Sequence, residues 1–137
     1  MTTTETPTAA VRAVRRFFAA FGSGDRPALL DLLADDFTWD VAGSDTVPWT
    51  GRRTTRAEVE AFLDAATTGV VTEQFDVDHV LGDDERAFAT GSFTHLITAT
   101  GKRFHSRFAL YVEVSDDRIT RYSMHEDSHA AAEAFRA

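Results

Sequence analysis

Three carboxylate and imidazole positions stand out in this 137-residue chain as groups able to move protons. Asp40 sits in Phe37-Thr38-Trp39-Asp40-Val41, a carboxylate among aromatic and branched neighbours. At the mouth of an apolar pocket its proton affinity would rise by desolvation, which suits a general base. Strand parity sets it opposite Phe37, Trp39 and Val41, and the competing reading is a solvated residue. His79 and His95 each share parity with apolar residues. Two imidazoles facing one cavity could act as acid and base or hold a water. The bland alternative is a hydrogen-bonded core histidine. His105, between Arg103 and Arg107, lies on a polar parity and reads as surface or interface.

One literal metal motif occurs. His125-Glu126-Asp127-Ser128-His129 spells H-E-x-x-H, which holds zinc when both histidines share one face of a continuous helix. Here it straddles the end of an expected strand and the start of a short helix, with no evident third ligand. The reading is therefore no metal and no cofactor. Asp127-Ser128 suits a helix cap. Glu126 and Asp127 keep an alternative as carboxylates at a pocket mouth, against the reading of a solvated terminus. Arg52 and Arg53 could pair an anionic ligand, but a solvated helix start is the simpler account.

Positioning such groups requires a frame. Phe104, Ser106, Phe108, Leu110, Val112 and Val114 alternate, the period of a strand with one buried face. Ser115-Asp116-Asp117-Arg118 is a turn, and Ile119 to His125 returns as the partner strand. This hairpin should form the centre of an antiparallel sheet. Tyr122 and Met124 share its inward parity. Earlier, Val11, Val14, Phe17, Phe18 and Phe21 recur at helical spacing. A second helix follows Asp25, with Leu29, Leu30, Leu32 and Leu33 as its buried side. Asp35-Asp36 should end it, before a short strand over 37–41. Thr55-Arg56-Ala57-Glu58 fits a capping box, and Val59, Phe62, Leu63 and Ala66 form the stripe of a third helix. Phe75, Val77, His79 and Leu81 suggest one strand, and Ala87, Ala89, Phe93, His95 and Ile97 another. Gly91 marks a bulge or bend. An Ala-rich end from Ser128 can close as a short helix. Residues 1–8 read as a frayed tail and residues 9–137 as one domain. The order α-α-β-α-β-β-β-β-(α) is an α+β fold with a curved antiparallel or mixed sheet wrapped by three N-terminal helices and a short C-terminal helix.

The net charge of −8 argues against nucleic acid and anionic membranes as partners. No cysteine is present, which removes thiolate chemistry. The first residues lack the basic and apolar regions of a secretory signal, and no apolar run reaches a membrane span, so the expected location is cytoplasmic. The 11 Phe supply a core that aromatic rings cannot fill tightly. The expected result is an apolar cavity lined by Phe18, Trp39, Phe62, Phe93, Phe108 and Tyr122, with Trp49 as a lid and Met124 beside Tyr122.

FFAAFGSGD-x-P-x-LLDLLADDFTWDVAG, PWTGRRTTRAEVEAFL and FALYVEVSDDRITRYSMHED, in that order, resemble the SnoaL-like branch of the NTF2-like superfamily. The resemblance covers about Val11 to Ala130. It implies a cone-shaped α+β fold, an apolar pocket and dimerisation through the sheet. It also implies a choice among polyketide cyclases, ketosteroid isomerases, epoxide hydrolases, dehydratases and proteins without known activity. The Tyr oxyanion donor of the isomerases falls on Phe17 here. Their protonated Asp falls near Ala109 or Leu110, and their base near Asp40. The last-strand acid of the cyclases falls on Met124, which cannot take a proton. The resulting expectation is a protein that binds a small hydrophobic, carbonyl-bearing or polycyclic molecule. It would catalyse cyclisation, isomerisation or dehydration by acid–base chemistry. A non-catalytic binding or dimerisation module and an epoxide-opening hydrolase remain as alternatives.

Overall fold

The computed structural model describes residues 7–137; of the tail expected over residues 1–8, residues 1–6 lie outside the described residues. The chain forms α1 (Ala9–Ser23), α2 (Arg26–Asp31), β1 (Leu33–Val41), β2 (Gly51–Arg53), α3 (Arg56–Thr67), β3 (Val70–Gly82), β4 (Arg86–Ile97), β5 (Lys102–Ser115), β6 (Arg118–Glu126) and α4 (Ser128–Phe135). The strands make one open sheet in the order β2-β1-β6-β5-β4-β3. β1 and β6 run parallel, and the other neighbours run antiparallel. The architecture is α+β, and the β5–β6 hairpin occupies the middle of the sheet.

Local chemistry explains the elements. In β5, every second residue from Phe104 to Val114 is buried. Its turn into β6 places both Asp116 (φ 53°) and Asp117 (φ 63°) in the left-handed region, as a two-residue hairpin of matching twist requires. α1 stops where Gly24 turns left-handed and its N–H reaches back to Ala20 and Phe21. Thr55 and Glu58 form a reciprocal capping box that starts α3. Asp127 caps α4 by accepting from the Ala130 N–H at 3.0 Å.

Two boundaries differ from the sequence reading. α2 ends at Asp31, and Leu33 begins β1 rather than lying on the helix. Leu33 is fully buried, so its apolar character serves the sheet. Arg52 and Arg53 belong to β2, an extra strand paired with β1, not to a helix start.

Bulges shape the sheet. On β3 the register slips between Thr72 and Gln74 and again between Val77 and His79. Each extra residue reverses which face the following side chains take and bends the strand. Gly91 on β4 is not itself the extra residue; it lies opposite Val77, just before the second slip. A Cβ at Gly91 would lie 2.0 Å from the Asp76 carbonyl oxygen and 2.6 Å from the Phe108 ring. Glycine is needed there because backbone and ring occupy the space of a side chain. α1 packs across β3 to β6, and α3 lies against α2 and β3. No helix among the described residues is long and apolar enough to cross a membrane.

Candidate active site

A cavity of about 80 Å³ lies between the helices and the inner face of the sheet. α1 supplies Phe17, Phe18 and Phe21 to its wall, and α3 supplies Phe62 and Ala66. Thr72 and Phe75 come from β3, and Phe93 and His95 from β4. Tyr122, Met124 and Glu126 project from β6 at every second position, and Val41 and Trp49 complete the lining. The wall is therefore mostly aromatic, with few polar groups.

Glu126 is the carboxylate of this cavity. Its backbone is fixed on both sides: it is in register with Phe108, and the Asp127 N–H donates to the Ser106 hydroxyl at 2.8 Å. The Trp49 indole N–H donates to Oε1 at 2.9 Å. Oε2 is buried and has no partner among the described residues. Burial pushes the Glu126 carboxyl up to about 7; the Trp49 hydrogen bond opposes this, and the Asp127 charge adds to it.

Two further titratable groups face the same space. Burial raises the Tyr122 phenol, and the Glu126 charge raises it further, so it stays a protonated donor. Burial pushes His95 down to about 4, against a smaller opposing effect from the Thr94 backbone. It is therefore a neutral imidazole near pH 7. Its Nδ1 pairs with the Thr72 hydroxyl at 3.1 Å, and its ring stacks on Phe93 at 4.3 Å between centroids.

The structure brings together Phe18, Trp49, Phe62, Phe93, His95, Tyr122 and Met124 around one cavity. Trp39 and Phe108 do not line it. Trp39 lies behind Tyr122 with its rings stacked on it, and Phe108 lies behind Phe75 and Phe18. Asp40 is on the other face of the sheet. There it meets the Arg121 guanidinium at 3.5 Å, in an open groove of about 640 Å³ that Arg52 and His125 also border. The alternation that buries Trp39 and Val41 turns Asp40 outward, so it cannot be the base of the inner cavity. His79 is exposed, because the bulge before it reverses its face; Val80, not His79, pairs inward with Ala89.

In the sequence Glu126 stands only as an alternative, and the last-strand acid position of the cyclases falls on Met124. The signal was available: extending the inward parity of Tyr122 and Met124 by two residues reaches Glu126. The H-E-x-x-H match is split by the same alternation. His125 borders the outer groove, Glu126 the inner cavity, and His129 is in the first turn of α4. Among the described residues no three His, Cys, Asp or Glu side chains gather as a metal site.

Comparisons with known proteins agree with this architecture. The SnoaL-like domain model matches residues 14–122. Patulin biosynthesis cluster protein F of Penicillium expansum is 33% identical over 93 residues, which are 65% of this chain and 46% of that protein. The chain thus matches less than half the length of this relative. An NTF2-like protein from Burkholderia xenovorans LB400 has a TM-score of 0.86 at 26% identity, over 96% of this chain and all of that one. TerC, co-crystallised with polyporic acid, has a TM-score of 0.81 at 17% identity, over 95% of this chain and all of that one, a likeness of fold. With most of its length matched by the family model and its fold shared with these structures, the chain belongs to the SnoaL-like domain family of the NTF2-like superfamily.

Proposed function

We propose that this protein binds a small apolar, ring-containing molecule with a carbonyl or similar acceptor, and moves a proton on it through Glu126. The reaction class is cyclisation, isomerisation or dehydration without a cofactor. The observation that carries this reading is Glu126 itself: a buried carboxyl in an aromatic cavity, with one oxygen held and the other unpartnered. A group whose proton affinity lies near pH 7 can both take and return a proton, which is what acid–base catalysis asks for. The Tyr122 hydroxyl is the donor that would meet negative charge developing on the ligand oxygen. His95, neutral and stacked, would orient the ligand rather than carry charge. Polyporic acid in the TerC crystal supports a ligand of this general kind.

The cavity is small beside the ~300–1,000 Å³ of drug-sized sites. A ligand of more than one ring would have to displace lining side chains. Among the phenylalanines of the wall, Phe18, Phe21 and Phe75 are the ones not fully buried, so they are the rings with room to swing outward.

The test is a screen of planar aromatic carbonyl compounds by quenching of tryptophan fluorescence, followed by turnover assays on the binders. Glu126→Gln keeps the shape but not the proton, and turnover should fall by about 10²–10⁴-fold with binding retained. Full turnover in Glu126→Gln would remove Glu126 from the chemistry. Binders returned unchanged by the wild-type protein would favour the non-catalytic binding module.

A further inference from the structure

We propose that Trp49 is the positioning residue of this site: its indole fixes which oxygen of Glu126 carries the exchangeable proton. This rests on the reading of Glu126 as the acid–base group. An indole N–H is a donor only and never an acceptor. The oxygen it meets, Oε1 at 2.9 Å, must therefore present a lone pair whether Glu126 is ionised or neutral. The carbonyl oxygen of a neutral carboxyl accepts more strongly than its hydroxyl oxygen, so the indole bond favours Oε1 as the carbonyl and places the proton on Oε2, the oxygen without a partner among the described residues. When Glu126 is neutral, Oε2–H is the donor; when it is ionised, the Oε2 lone pairs are the acceptor. The ligand would meet the same atom in both directions of proton transfer, with no rotation of the carboxyl between them.

The arrangement needs a rigid indole, and the fold supplies one. Trp49 is 5% exposed. Phe104 lies nearly parallel to it at 6.3 Å, and Phe135 of α4 meets it edge-on at 5.3 Å. The Arg53 guanidinium donates to the carbonyls of Trp49 and Thr50, both at 3.2 Å. The Thr50 hydroxyl closes the loop by donating to the Ser44 carbonyl at 2.7 Å. The loop after β1, the edge strand β2 and the terminal helix thus converge on one side chain.

Few other charges face Glu126. β6 contributes Tyr122, and β4 contributes His95. Asp127 follows in the chain and is engaged with the Ala130 N–H. The lining residues from α1 and α3 are Phe17, Phe18, Phe21, Phe62 and Ala66, none of them titratable.

The chain has two tryptophans, so its indole N–H signals can be separated by NMR. In the full-length wild-type protein, without ligand, the Trp49 indole signal should move with pH at the midpoint of the ¹³C-labelled Glu126 carboxyl. The Trp39 signal, whose Nε1 has no partner among the described residues, should move far less. The Trp49 movement should vanish in Glu126→Gln. In Trp49→Phe, which keeps the ring stack without the donor, the Glu126 midpoint should rise by about one pH unit. A Trp49 signal that ignores the Glu126 titration, or that still moves in Glu126→Gln, overturns the inference. So does an unshifted midpoint in folded Trp49→Phe; if that variant does not fold, the wild-type titration decides. None of these readouts uses a substrate. Failure to find turnover would sink the proposed reaction and leave this coupling standing, while a silent indole would sink the coupling alone.

Discussion

Trp39 and Tyr122 are register partners across the parallel junction of β1 and β6, and their rings stack 3.7 Å apart with 9° between planes. Both are 2% exposed or less. The pair makes the floor beneath the cavity, and such stacking contributes about 1 kcal/mol beyond burial. Tyr122→Phe keeps the stack and removes only the hydroxyl. Stability in urea should stay within about 1 kcal/mol of wild type. Affinity for a carbonyl ligand should fall about tenfold, the worth of one neutral hydrogen bond. Equal affinity in the variant would remove Tyr122 as the ligand's donor.

The contact between Gly91 and Phe108 predicts a packing failure. An added Cβ would sit 2.0 Å from the Asp76 carbonyl oxygen, which is backbone and cannot swing aside. Gly91→Ala should therefore cost about 3 kcal/mol by urea denaturation. Gly22→Ala is the matched control, because among the described residues nothing beyond its own stretch of helix lies within 4 Å of its would-be Cβ. If the two variants denature alike, the close approach at Gly91 has no energetic weight.

These particulars show where the sequence was legible. Alternation along β5 and β6, the 115–118 turn and the Thr55–Glu58 box are local signals, written within a few residues, and they gave the hairpin and α3. His79 was misplaced because a bulge is a property of two strands, and one extra residue on β3 shows only when Thr90 and Ala89 are set opposite. Leu33 was assigned to the wrong element because an apolar run at a helix end looks the same when it begins a strand. Asp40 faced both ways in the sequence: parity sent it outward while the resemblance drew it inward, and parity prevailed. Phe75 joins the site only through long-range packing on Phe93 and Phe108, which no local pattern reports.

The outer face of the sheet leads to a prediction about assembly. Leu81, Phe88 and Tyr111 stand side by side across β3, β4 and β5. Leu81 is 70% exposed and Phe88 56%, with the Phe88 and Tyr111 rings 4.9 Å apart. A row of apolar side chains on a wet sheet face is expected to be covered by a second copy. Sedimentation at micromolar concentration should show a dimer for the wild type and a monomer for Phe88→Glu. A wild-type monomer, or a dimer indifferent to Phe88→Glu, would remove this face as the interface.

The last prediction sets Glu126 against His95. Glu126 rises from its ordinary 4.5 to about 7, so the folded protein holds a proton that the unfolded chain releases. Its contribution is fully present below pH 4.5 and is lost as pH rises to 7, about 3 kcal/mol in all. His95 falls from 6.5 to about 4, so the unfolded chain binds the proton first. Its contribution is present above pH 6.5 and is lost as pH falls to 4. Its partial exposure reduces this to about 2 kcal/mol. Between pH 4.5 and 6.5 the two slopes have opposite signs and largely cancel. Single substitutions should uncover them. Relative to wild type, the stability of Glu126→Gln should climb with pH across this window, leaving the His95 slope unopposed. Relative to wild type, that of His95→Gln should fall with pH, leaving the Glu126 slope. Urea denaturation at pH 4.5, 5.5, 6.5 and 7.5 on the three proteins measures both differences, since other titrating groups are common to all. Parallel curves for wild type and Glu126→Gln would mean that the carboxyl titrates as if solvated, and the acid–base role of Glu126 would lose its physical basis.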